Sequence, residues 1–301
     1  MRIHLIANPA VESTSGDSTG PIGTRAGGFA RASDAYLAEG IVAEFVALGA
    51  EVTGTSRPEL PPESVSGDRV RDLGRHGALI AQSVAGAIAA GESPVLAGGT
   101  CNHLVGMMAG LQQGLGADAR IGLVWFDAHG DFNTPRTSHS GMLGGMPVAV
   151  VAGLCHPTWR EGAGMTAPLA TDRIVMVDVR NLDPEEATLV AATDVTIAQL
   201  RPDAPGPRVD EAVMDLAARV DHLYLHIDAD VLDKSLQPNH PTAEPDGPDL
   251  AATVAGIQTV FATGKVRALA VVSVDPTGPD GSVSLASGLA LLRESVAAWS
   301  V

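Results

Sequence analysis

Cysteine is scarce in this chain: Cys101 and Cys155 are the only two among 301 residues. Two thiols build no disulfide framework, and a cytoplasmic protein is the simplest expectation. Basic residues are also few, 19 Lys and Arg against 35 Asp and Glu, for a formal net charge of −16. That balance disfavours nucleic acid and anionic membrane surfaces, which both call for a basic face. No apolar run approaches the length of a membrane span. The opening Met1-Arg2-Ile3-His4-Leu5-Ile6 turns polar too quickly for a secretory signal and reads as a first strand. No Pro/Ser-rich linker, charge run or internal repeat divides the chain, so one domain over residues 1–301 is expected.

What is present is an alternation. Strand-like apolar runs fall at 3–7, 51–54, 94–97, 121–126, 174–179, 195–198, 223–227 and 269–274. Helix-like stretches lie between several of them, at 36–48, 73–90, 103–113, 210–220, 250–261 and 285–299. Strands alternating with helices predict an α/β fold: three α/β/α layers around a doubly wound parallel sheet of roughly eight strands. Ligands of such sheets bind beyond the carboxyl ends of the strands. The stretch 11–28, rich in Gly, Ser and Thr, reads as a mobile loop over that face.

Two acidic stretches sit at two of those ends: Asp127-Ala128-His129-Gly130-Asp131 and Asp228-Ala229-Asp230. In extended backbone alternate side chains share a side, so Asp127, His129 and Asp131 point together, as do Asp228 and Asp230. A lone Asp-x-Asp is commonly a strand-end cap or an ion-pair partner. Two such motifs, each closing an apolar strand, bring four carboxylates and an imidazole to one place. Four ionised carboxylates cannot share a partly buried site without a compensating cation. An oxygen-rich set with one imidazole suits hard or borderline ions such as Mn²⁺, and the carboxylate charge matches two of them.

The surrounding residues resemble the arginase–agmatinase (ureohydrolase) family. VWFDAHGDFNTP and HIDADVLD are similar to its two metal signatures, and LAGG (96–99), SGMLGGMP (140–147), VRNLDPEE (179–186) and VVSVDP (271–276) follow in the family's order. The resemblance implies an α/β/α fold of the arginase–deacetylase type, a binuclear manganese site, hydrolysis of a guanidino-type carbon and a homo-oligomer, trimer or hexamer. It implies metal ligation by Asp127, His129, Asp131, Asp228 and Asp230. It puts Cys101 where the family has a histidine ligand, two residues after Gly98-Gly99. Three readings of Cys101 stand open: a thiolate ligand, a bystander beside a weaker site, or His103 swinging in, although at a helix start His103 is expected to cap or pack.

Two further departures bear on the chemistry. Gly144 stands where the arginase motif carries a histidine that shuttles protons, which leaves His139, on the same loop, as a candidate substitute. Ser273 stands where the family places a glutamate against the substrate's cationic head. The amino-acid end of the site is retained: Asn133, Ser138 and Ser140 match positions that hold an α-carboxylate, and Asp183 matches one that approaches the α-ammonium. Asp131 matches the catalytic proton acceptor. The expected function is therefore metal-dependent hydrolysis of a linear amidine on an amino acid, with a weakly basic guanidine such as Nω-hydroxy-L-arginine favoured over arginine. The alternatives are a formimino- or other guanidino-acid hydrolase, including an agmatinase, and a metal-binding protein without catalysis.

Overall fold

A computed structural model describes residues 1–7, 28–201 and 204–299. The glycine-rich loop expected at 11–28 lies, apart from Gly28, outside the described residues. The strands are β1 (Arg2–Ala7), β2 (Glu51–Ser56), β3 (Ser93–Ala97), β4 (Ile121–Phe126), β5 (Ile174–Val177), β6 (Thr196–Ala198), β7 (His222–Asp228) and β8 (Val266–Val272). The helices are α1 (Ala32–Ala38), α2 (Ile41–Ala47), α3 (Arg69–Ala89), α4 (Leu104–Leu115), α5 (Pro147–Val151), α6 (Pro157–Gly162), α7 (Pro184–Ala191), α8 (Val209–Arg219), α9 (Leu250–Phe261) and α10 (Gly281–Trp299). None of these helices is long and apolar enough to cross a membrane.

The eight strands form one sheet in the order β2-β1-β3-β8-β7-β4-β5-β6, and every pairing is parallel. The central strands read as unbroken apolar runs because both faces are covered; all six residues of β4 are buried. Alternate side chains feed two separate cores. Val124, Phe126, Leu225, Ile227 and Val271 pack against α1, α2, α8, α9 and α10 through residues such as Tyr36, Phe45, Leu216, Ile257 and Leu291. Leu123, Trp125, Tyr224, Ala270 and Val272 pack on the other side against α3 to α7, through Ile80, Met108, Val150, Trp159 and Val190. The expected three layers and eight strands are present.

Register sets where the chain leaves the sheet. Ala97 is level with Val271, Val271 with Ile227, Ile227 with Phe126, and Phe126 with Val177. That row crosses five strands, and Cys101, Asp127, Asp228 and Ser273 all follow it within four residues. Past β3 the chain jumps to β4 on the far side of β7 and β8, so a crevice opens above the carboxyl ends of these four strands.

The differences from expectation are local. The stretch 36–48 is two helices, because Gly40 starts α2 with φ +82°, a conformation that costs glycine little and breaks the helical path. Helices α5, α6 and α7 are 5, 6 and 8 residues long, too short to display a helical period. Strands β5 and β8 stop before 179 and 274 because Asp178 and Ser273 take φ values of +61° and +62°.

Candidate metal centre and active cleft

Above the strand ends lies a solvent-open cleft of about 830 Å³. Its floor is made of Cys101, Asp127, His129, Asp131, Asp228, Asp230 and Ser273, and its rim includes Asn133, Ser138, Ser140, Gly144, Asp183 and Glu186. The metal and substrate residues expected from the sequence therefore meet in one place, with His139 the exception. Strand pleat is only part of the cause. Asp228 closes β7, but Asp230 sits in a single turn of 3-10 helix, Ala229–Val231, and its amide donates to the Asp228 carboxylate at 3.0 Å. Asp131 is turned inward by a left-handed backbone, φ +46°.

Three groups of donor atoms lie close enough together to share an ion: Cys101, Asp127 and Asp228; Asp127, His129 and Asp230; and Asp228, Asp230 and His240. Nδ1 of His129 is 3.3 Å from Asp127 Oδ1 and 3.1 Å from Asp230 Oδ2. Its Nε2 faces Glu244 Oε1 at 3.6 Å, beyond hydrogen-bond reach, so Nδ1 is the nitrogen turned to the two aspartates. Asp131 lines the cleft but belongs to none of the three groups.

The electrostatics favour a cation. Burial, then Asp230, Asp228 and Asp131, push the Asp127 carboxyl well above its ordinary range. Burial raises Asp131 likewise, against the pull of His129. Burial and Asp230 raise Asp228 to about 6. Asp230 moves the other way: burial would raise it, but His240 and His129 outweigh that and hold it low. Burial disfavours a charged His129, yet Asp230 and Asp127 push it up to about 12. The carboxylates thus compete for protons that divalent ions would displace. Among the described residues lining the cleft there is no Lys or Arg to take that role.

The Cys101 side is knitted by hydrogen bonds. Glycines at φ +93° and +81° bring the loop after β3 over the floor, and a Cβ on Gly99 would sit 2.3 Å from the His103 ring. Cys101 Sγ donates to Asp228 Oδ2 at 2.7 Å, and Ser273 Oγ donates to the same oxygen at 2.5 Å. Burial and the neighbouring Asp228, Asp131 and Asp127 push the Cys101 thiol well up. His103 does cap: its Nδ1 accepts the Thr100 amide at 2.9 Å, and the ring packs against His76 rather than reaching the floor.

At the rim, the Asn133 side-chain amide donates to Asp183 at 3.2 Å, and the Ser138 and Ser140 hydroxyls are 3.4 Å apart. Asp183 also starts α7, where Glu186 accepts its amide at 3.3 Å and that of Phe132 at 2.8 Å. The expectation for His139 fails. Its side chain is 60% exposed, does not line the cleft, and pairs with Glu185 on the outer surface at 2.7 Å. Loop direction, which residue spacing does not encode, turns it away.

Four contributors were not anticipated. His240 and Phe29 cover the floor with their rings 5.0 Å apart. Glu244 accepts Asn181 Nδ2 at 2.5 Å and faces His129. Arg180, with 12% of its side chain exposed, donates to the carbonyls of Asp230, Val231, Leu232, Glu244 and Pro245 at 3.0–3.3 Å. The only sequence signal for His240 and Glu244 is their closeness to Asp230 in a polar, proline-rich stretch.

This architecture has known counterparts. An arginase structure from Bacillus subtilis superposes with a TM-score of 0.82, covering 98% of each chain at 20% identity. Arginase from Bacillus caldovelox is 32% identical over 162 residues, 53% of this chain and 53% of its own length. The N(omega)-hydroxy-L-arginine amidinohydrolase of Streptomyces lavendulae is 36% identical over 125 residues, 42% of this chain and 41% of its own length. The matched segments thus span about half the length of these two relatives. The family model described as "Arginase family" matches residues 12–297. With the parallel sheet, the carboxylate and imidazole floor and a match over nearly its whole length, the chain belongs to the arginase family.

Proposed function

We propose that this cleft hydrolyses a linear amidine carried on an amino acid, and that its preferred head group is a weakly basic guanidine such as Nω-hydroxy-L-arginine. Asp127, His129, Asp228 and Asp230, with Cys101 and Asp131 beside them, would hold divalent metal, Mn²⁺ in this reading and up to two ions. Bound metal supplies Lewis-acid activation of water and of the amidine carbon. Asp131 accepts and returns a proton at its carboxylate on the floor. Asn133, Ser138 and Ser140 bind the substrate's α-carboxylate, and Asp183 its α-ammonium. The reading extends to a homo-oligomer in the cytoplasm acting on a small-molecule substrate.

The observation that carries the substrate choice is Ser273. It is buried at the floor, and its hydroxyl is committed to Asp228. A protonated guanidinium there would face metal cations without a carboxylate at position 273 as its counter-ion. A hydrogen bond to a charged group contributes about 1.5–3 kcal/mol, and that pair is missing. A head group that is neutral near working pH loses nothing. On one metal-loaded preparation, kcat/KM should be higher for Nω-hydroxy-L-arginine than for L-arginine. Ser273→Glu should shift the ratio toward arginine by roughly 10-fold or more, the equivalent of that missing pair. Equal turnover of both substrates, unmoved by Ser273→Glu, would remove the claim. No turnover of any guanidino or formimino amino acid would favour a metal binder without catalysis.

A further inference from the structure

His240 belongs to none of the motif matches, yet it is the second imidazole of the floor. Its side chain is 5% exposed, and its Nε2 is buried without a hydrogen-bond partner among the described residues. That nitrogen is 3.8 Å from Asp228 Oδ1, too far for a hydrogen bond. Nδ1 lies 3.5 Å from Asp230 Oδ2 and 3.2 Å from the Thr242 hydroxyl. The Thr242 amide also approaches Nδ1, at 3.3 Å. A ring that binds metal through Nε2 would exchange that contact for donation from Nδ1–H to the hydroxyl, the outer bond that metal-bound histidines commonly make. The ring is held in place: Phe29 packs on it, and the His240 amide and carbonyl bond Gln237 and Ala243.

Donor spacing points the same way. Metal–ligand bonds of about 2.0–2.1 Å put neighbouring donors roughly 3.0–3.4 Å apart. The His129 Nδ1 contacts to Asp127 and Asp230, 3.3 and 3.1 Å, fall in that range, and the His240 Nε2 contact to Asp228 Oδ1, 3.8 Å, lies a little beyond it. These pairs bracket the space an ion fills. On the opposite side, Asp228 Oδ2 already accepts from Cys101 and from Ser273. An ion there must displace both hydrogen bonds.

We infer that His240 is a metal ligand, and that its group with Asp228 and Asp230, joined through Asp230 to the group of His129, makes a two-imidazole site that fills before the Cys101 side. The inference rests on the metal-dependent reading above. Two imidazoles shift the preference from Mn²⁺ toward borderline ions such as Co²⁺ and Zn²⁺. The test is Co²⁺ titration of the full-length, metal-stripped protein by equilibrium dialysis, followed by proton NMR of the Co²⁺ form. The wild type should take one tight equivalent and a weaker second one. Its spectrum should show two hyperfine-shifted, exchangeable imidazole N–H signals. His240→Ala and His240→Gln should both weaken the tight equivalent by at least ~10-fold and leave one such signal, with unchanged circular dichroism. Cys101→His should strengthen only the weaker equivalent. Wild-type affinity and both signals in the folded His240 variants would overturn the assignment while the metal-dependent reading stands. A wild type that binds no divalent ion would overturn both.

Discussion

The floor of the cleft and its rim are built to different standards. Asp127, Asp228 and Asp230 are buried; the first two stand at level strand ends and the third in the short turn that follows. His139, Ser140 and Gly141 are exposed, Ser138 is half-buried, and the bonds of Ser138 and Ser140 are to near neighbours. A fixed floor holds several like charges at distances that only a cation relieves. An adaptable rim can change what it admits without disturbing that arrangement. The departures from family pattern nevertheless include floor positions, Cys101 and Ser273, both bonded to one Asp228 oxygen. The two departures are therefore linked through that one carboxylate, and the proposed substrate preference and metal binding would be linked with them.

The contrast breaks most severely if the floor tolerates the loss of a carboxylate. Asp127→Ala should abolish turnover and lower metal affinity by about 100-fold or more, beyond the ~10–100-fold that outer-shell partners cost. Atomic absorption of the dialysed variant measures this, and full retention of bound metal would contradict it.

A smaller effect sharpens the electrostatic side. An aspartate in an unfolded chain has a pKa of about 3.9, whereas Asp228 in the fold is pushed up to about 6. Between those values the metal-free native protein binds more protons than the unfolded chain, so its stability falls as pH rises. Asp127 and Asp131 are shifted in the same direction. His129, raised to about 12, also loses its contribution as pH climbs from its unfolded value toward that figure. Asp230, held low, runs oppositely, but only below about pH 4. The metal-free melting temperature should therefore drop between about pH 4 and 6, by a few kcal/mol in stability. Saturating divalent metal should flatten that slope. A metal-free melting temperature that rises through the window would count against this account of the floor.

The smallest effect belongs to the rim's outer edge. His139→Ala should leave kcat/KM unchanged, because that side chain meets Glu185 and not the cleft. A loss of turnover that tracks its titration would return it to the catalytic set.

How much of this was legible depends on whether burial or loop path decided the outcome. Every strand was readable, since burial on both faces writes β4 and β7 as continuous apolar runs. The aspartates were readable because they interrupt those runs where the sheet ends. The long helices α3, α8 and α9 carried enough turns to show a period, whereas α5 to α7 did not. His240 left no such trace: a single histidine between Asn239 and Pro241 is indistinguishable from a solvated loop residue. His139 was misplaced for the same reason in reverse, a loop residue near catalytic ones in sequence and turned away in space.

Arg180 has one further consequence. By gathering five carbonyls from the segment 230–245, it ties the turn that carries Asp230 to the loop that carries His240 and Glu244. Those carbonyls have few ways to fluctuate singly, because releasing the guanidinium would strand several buried acceptors together. Local opening of this segment therefore requires several of these bonds to break together. Among the described residues the loop at 138–145 has no comparable anchor, so the two jaws of the cleft are unequally tied down.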